Sequence, residues 1–269
     1  MPVESGFDMR RLLRIYKRFW ISSLIRELEF KANFWAKMLQ GCVWLGFFLL
    51  IVVVIFSNAN DIAGWKRGHA FVLAAVAFGM HSIFIAFFMS LIEIPEQVRK
   101  GTLDFVVTKP VDSQFWVSLR RFNFDQFGPI IASMILIGVG LRTEGVVPSI
   151  GQWAAFLILL ISSITIFYAF NFLLMTLAIY WVRVDNLWVL GETVMSIARY
   201  PTEMYTAGIQ RVLIFALPVA FLASMPARQI ALGANWTMVG IGAAWAIVLF
   251  MASRLAWNRA MSSYSSASS

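Results

Sequence analysis

Residues 38–56 read MLQGCVWLGFFLLIVVVIF, an unbroken apolar run with no charge. A helix needs about 20 such residues to cross a hydrocarbon core ~30 Å thick, whereas a barrel strand needs only about 10 and alternates in polarity. Further runs of similar character follow at about 70–92, 124–141, 152–182, 207–226 and 236–253. Backbone groups in lipid find no water to bond, so a chain built this way satisfies them within helices. Only 13% of the residues are charged, about half the usual share in a soluble domain. A water-soluble globule is excluded. The expected fold is all-α, a polytopic membrane protein with six transmembrane helices.

Basic residues set the orientation. With a cytoplasmic N-terminus, the inside segments hold 18 of the 22 Lys and Arg, and the outside loops hold Lys66, Arg67, Arg142 and Arg228. Positive charge accumulates on cytoplasmic loops, so both termini are expected in the cytoplasm. The net charge of +8 reflects this bias toward anionic headgroups. It does not indicate nucleic acid, for which no basic groove with aromatic residues is visible.

Residues 1–37 read as an N-terminal amphipathic unit. Leu13, Tyr16, Trp20, Leu24 and Leu28 recur at helical spacing on one side, with Arg10, Arg14 and Lys17 on another. Such a helix lies in the membrane interface. It is not read as a signal peptide, because the first strong apolar core begins too late. The six-span domain is expected over 38–256. Within it, residues 184–200 place Asp185, Glu192 and Arg199 on one helical face. A charge at the bilayer centre costs about 2.5–3.5 kcal/mol on insertion scales. This segment is therefore expected to be a second interfacial helix, with a half-inserted hairpin as the alternative. The tail 257–269, ending SSYSSASS, is expected to be disordered. Cys42 stands alone and forms no internal disulfide.

No residue pattern points to catalysis or to a cofactor held by this chain. His69 and His81 lack metal-ligand spacing and cysteine neighbours, and neither a Gly-x-Ser-x-Gly elbow nor a phosphate-cradling P-loop occurs. Ion channels and secondary transporters place carboxylates or broken half-helices near mid-membrane. Here every Asp and Glu reads as lying in a loop, a helix end or the interfacial segment. The polar groups inside the runs are neutral or nearly so, among them His81, Ser163, Asn171 and Thr176. His81 either relays protons or bonds a neighbouring helix, and the second is the commoner arrangement. His81 and Asn171, with Pro218 and Phe221 in the fifth run, are the candidates for pore or helix-packing roles. A lining this apolar suits an amphiphilic, lipid-like or drug-like cargo better than an ion. An ATPase-independent carrier or channel, or a membrane-anchored assembly factor, is the competing class.

The polar segment 93–123 between the second and third runs begins EIPEQVRKGTLDFVVTKP. Pro95 suits the first position of a helix, where its missing N–H is harmless. Glu96 complements the positive end of the helix and Arg99 and Lys100 the negative end. Gly101 suits the left-handed position that follows. The pattern predicts a short capped helix over 95–100 and then an extended run, TLDFVVT, broken by Pro110. A further helix begins after Asp112, an N-cap residue, with Phe115, Trp116 and Leu119 on its apolar face. A connector needs far fewer residues, and Phe105, Val106 and Val107 need a surface to pack on. A loop folded on the protein's own helix ends and a soluble docking partner both answer that need.

Glu96, Gly101, Thr102, Leu103, Asp104 and Pro110 give this segment a specific resemblance. It resembles the cytoplasmic segment between spans two and three of ABC-2-type permeases, the membrane subunits of ABC exporters. A second stretch, RYPTEMY…RVLIFALPVAFLASMPA, carries Arg199, Pro201, Pro218, Phe221 and Pro226. It is similar to a subfamily of ABC-2 long carried as a domain of unknown function. The resemblance implies a permease in a bacterial inner membrane, paired with a second permease, identical or related. It also implies two copies of a separate P-loop ATPase that bind the ATP and Mg. On that analogy 94–104 is the coupling helix. Glu96, Arg99 and Lys100 would make charged contacts to the ATPase, Gly101 would hold the turn, and Thr102, Leu103 and Asp104 would lie at the cleft edge.

Overall fold

The computed structural model describes residues 9–181 and 187–264. Helix α1 (Met9–Glu29) is followed by α2 (Lys31–Ser57), α3 (Arg67–Phe88) and the short α4 (Ile94–Arg99), α5 (Asp104–Val107) and α6 (Ser113–Leu119). Then come α7 (Phe127–Thr143), α8 (Ile150–Leu177), α9 (Leu187–Ala198), α10 (Ala207–Arg211), α11 (Ser224–Ala231) and α12 (Trp236–Ser263). Apart from one bridge between Ile62 and Trp65, the described residues form no strand. Among the described residues, five helical runs are long and apolar enough to cross a membrane: Lys31–Ser57, Arg67–Arg99, Phe124–Thr143, Ile150–Leu177 and Trp236–Ser263.

The apolar spacing of each run decides its place. On α3, Val72, Leu73, Val76, Met80 and Phe84 recur at helical intervals and are buried between α7, α8, α9 and α11. Its tightest contact is with α7, where a methyl group built on Gly140 would lie 2.6 Å from the Gly68 carbonyl oxygen. Backbones approach this closely only through small residues. Helix α2 is the contrast. Only 11% of its most apolar stretch is buried, and Val43, Trp44, Phe47, Leu50 and Val54 point outward.

Helix α9 is packed against the bundle. The helical part of 184–200 is Leu187–Ala198, and Asp185 lies outside the described residues. It runs antiparallel along α3 in an ordered series of contacts. Trp188 stacks on Phe84, Glu192 meets His81 at 2.9 Å, and the Arg199 guanidinium lies 5.1 Å over the Phe78 ring. Just beyond it, Glu203 accepts from the Trp65 indole at 3.1 Å, at the far end of α3. Glu192, in the segment expected to be interfacial, thus lies against α3. The physical reason is His81, which supplies a hydrogen-bond partner for the carboxylate.

The fifth apolar run is revised. Residues 207–226 do not make one continuous helix. They make α10, a π-helical stretch Val212–Ala216, a 3-10 turn Pro218–Phe221 and the start of α11. Pro218 has no N–H to continue the ladder, and Leu217 before it is extended (φ −124, ψ 103), as residues preceding proline prefer. The chain thereby enters the bundle, reverses and returns. Phe221 is fully buried and its carbonyl accepts from Ser163 of α8, while the Ser224 hydroxyl accepts from the Thr202 N–H at 3.2 Å and shares a hydrogen bond with the Thr202 hydroxyl at 3.2 Å.

Two smaller expectations change as well. Helix α12 continues through Ser263, so 257–263 are helical where disorder was expected, because Trp257 and Ala260 are fully buried. Residues 265–269 lie outside the described residues. The expected extended run after Gly101 contains α5 instead. Leu103 and Val106, three apart, turn inward together while Phe105 stays 70% exposed. That is a helical pattern, and no second strand stands by to pair with an extended one.

Candidate functional site

The segment 93–123 gathers α4, α5 and α6 into one layer at the end of the bundle that also holds α1 and the last turns of α12. Helix α4 begins with Pro95 in its first turn, and Glu96 and Arg99 occupy its opposite ends. Gly101 has φ +67 and its N–H donates to the Val98 carbonyl at 3.1 Å. The expected left-handed stop is present. Ile94, Val98 and Leu103 point into the core with Leu91. Glu96, Arg99, Lys100, Thr102 and Phe105 face outward. Leu103 is 0% exposed, so it anchors the layer from within and is not free to line a partner's cleft. Glu96 and Lys100 form an exposed i,i+4 ion pair at 2.6 Å. A hollow of about 490 Å³ beside them is lined by Glu96, Lys100, Thr102, Phe105, Lys109 and Arg120.

This outward face rests on a rigid back. Glu93, just before α4, accepts from both Arg120 and Arg121 beyond α6. Burial, and then the like charge of Arg121, push the Arg120 guanidinium down to about 10. The Ser90 hydroxyl donates to the Ser118 carbonyl at 2.6 Å. Helix α6 is in turn tied to the long helices. Asp112 caps it by accepting from the Phe115 N–H at 2.8 Å, and accepts from Arg254 of α12 at 2.9 Å. Trp257 donates to Ser113 at 2.9 Å, and Tyr168 of α8 bonds Ser118 at 2.8 Å and Gln114 at 3.1 Å. Burial alone would raise the Asp112 carboxyl, yet the Arg254 and backbone hydrogen bonds outweigh it and hold it below the usual carboxylate range. A push on α4 therefore has continuous polar links into α8 and α12. Helix α1 closes the layer, with Trp20 stacked on Phe122 at 4.2 Å and Ser23 accepting from the Phe122 N–H at 3.0 Å.

The other sequence candidates are scattered and do not converge with this surface. His81 bonds Glu192 inside the bundle. Asn171 is 1% exposed, donates to the Phe167 carbonyl at 2.9 Å and packs on Gly191, which fixes α8 against α9. Pro218 and Phe221 form the reversal between α10 and α11. Sequence reasoning recognised Asp112 as a cap but missed Arg254, Trp257 and Tyr168. Nothing in their local sequence signals a partner fifty or more residues away.

Long apolar helices with a capped polar layer at one end define a multi-pass membrane protein. The sequence matches the ABC-2 family transporter proteins over residues 42–268, and the chain belongs to that family. Members of its permease kind are membrane subunits, not themselves enzymes, and generally work with an ATPase partner. No curated protein and no solved structure matched the chain.

Proposed function

We propose that the chain is the permease subunit of an ATP-driven exporter for an amphiphilic, lipid-like or drug-like cargo. It works as a dimer with an identical or related permease, on two copies of a separate ATPase. The observation that carries this reading is the layer of α4–α6, with its exposed charged and aromatic face outward and its polar links into α8 and α12. Binding of ATP closes the ATPase pair. The displacement reaches the long helices only if α4 moves as one body, which its caps and the Glu93–Arg120 pair favour. ATP shifts the permease only to the extent that its two conformations differ in their contacts with the ATPase.

In this reading the α4–α6 end is cytoplasmic, and both termini lie there in a bacterial inner membrane. Helix α9 with Glu203 is then the fifth of six crossings, and 207–231 is a re-entrant hairpin from the outside. Taking Arg199 and Arg211 out of the cytoplasmic tally leaves 16 basic residues inside, so the charge bias keeps its sign. Helix α1, whose Leu13, Ile21, Leu24, Ile25 and Leu28 are exposed, lies in the inner interface. The open face of α2 meets lipid or the second permease.

Glu96→Lys tests the surface. It destroys the Glu96–Lys100 pair and places three cations together on α4. Retention of the ATPase on the tagged permease is expected to fall about tenfold, with normal membrane yield. Unchanged retention and unchanged ATPase stimulation would remove α4 from the interface.

A further inference from the structure

A cavity of about 600 Å³ opens between α2, α3, the residues leading into α7, and the end of α9. Its volume is that of a small-molecule site. Lys37 stands on its α2 wall and Asn123 and Asp125 at the α7 wall, while Phe78, His81 and Arg199 line its α3–α9 side. The lining holds two cations, Lys37 and Arg199, against one carboxylate, Asp125, which is 6% exposed and accepts from Gln126 at 2.8 Å. Glu192 is taken up by His81 at 2.9 Å. Glu192 does not line the cavity. Neither Lys37 nor Arg199 has an ion-pair partner among the described residues; Arg199 meets only the Phe78 ring.

A half-buried guanidinium with no ion pair among the described residues has hydrogen-bonding capacity to spare. Its planar fork suits a carboxylate or a phosphate, which it can hold by two parallel hydrogen bonds. Trp44 and Ile85 supply apolar wall to the same cavity. We propose that this cavity binds the anionic headgroup, carboxylate or phosphate, of an amphiphile, with Arg199 holding the anion, Lys37 attracting it and the apolar wall taking the start of its chain. A cationic amphiphile would face a lining of net positive charge. This names the charge class of the cargo site and rests on the permease reading. Its test contains no ATPase, so failure here and failure of ATPase coupling are separate results.

The full chain in phosphatidylcholine nanodiscs is titrated with 11-(dansylamino)undecanoate, with empty discs as the partition blank. Dodecyl phosphate and dodecanoate are expected to compete, and dodecyltrimethylammonium and inorganic phosphate are not. Arg199→Gln is expected to weaken binding about tenfold and Lys37→Gln by a few-fold. Lys37 is exposed, so its variant reports even where Arg199→Gln lowers the yield. Competition by phosphatidylglycerol built into the disc would identify a bilayer lipid as the natural anion, and no competition a free amphiphile; both keep the site. Equal displacement by the cationic amphiphile, or unchanged affinity in both variants, would overturn it.

Discussion

Gly101→Val is expected to leave the permease inserted and folded while lowering its stimulation of ATP hydrolysis five- to thirtyfold. Gly101 closes α4 at φ +67, where a β-carbon collides with the backbone and a β-branched residue fits worst. The strain is about 1–2 kcal/mol, too little to unfold a domain of this size but enough to change a conformational population by that factor. The chain relieves it by rotating out of the left-handed region. That movement shifts Thr102 and Phe105 on one side and the charged face of α4 on the other. Gly101→Ala carries the same kind of strain with less branching, and Gly101→Asn, which tolerates this backbone region, is expected to recover most of the activity. Stimulation by Gly101→Val equal to that of the parent protein would show that the geometry of this turn does not matter for coupling.

The second large effect is expected at Asp112. Its carboxylate both caps α6 and pairs with Arg254. Asp112→Ala removes the cap and leaves the guanidinium short of its partner, at a cost of about 2–3 kcal/mol. The thermal midpoint in detergent should fall by about 5 °C or more, and ATPase stimulation should fall with it, because α6 loses its tie to α12. Arg254→Gln added to Asp112→Ala is expected to cost little more than Asp112→Ala alone, since both act on one contact. Strict additivity of the two losses would contradict the link. Because the folded carboxyl is held below its usual range, the contribution is present at neutral pH and is lost as pH falls through the folded value.

The long apolar helices and the capped α4 were legible in the sequence because both rest on local chemistry. Runs such as 38–56 need no partner to be recognised, and Pro95, Glu96 and Gly101 act within one turn of each other. The features not legible there share one cause, which is compensation across the fold. The partner of Glu192 is not visible until His81, more than a hundred residues away, is placed beside it. Residues 207–226 have the hydropathy of a span, and only Pro218 marks where the helix stops and the chain reverses. Leu103 carries the family pattern of the coupling segment, yet its side chain serves the permease core. The exposed partners on α4 were identifiable by residue type; their mechanical backing through Arg120, Tyr168 and Arg254 was not, because it is made of long-range hydrogen bonds.

In the proposed function the face of α4 and α5 meets an ATPase. Phe105, 70% exposed at its centre, is the position to probe. With p-benzoylphenylalanine in place of Phe105 in the full chain, irradiation of native membranes is expected to join the permease to a P-loop ATPase. The product should be lost when Glu96→Lys is added. Capture of lipid alone, or of the ATPase to the same extent with and without Glu96→Lys, would contradict the account.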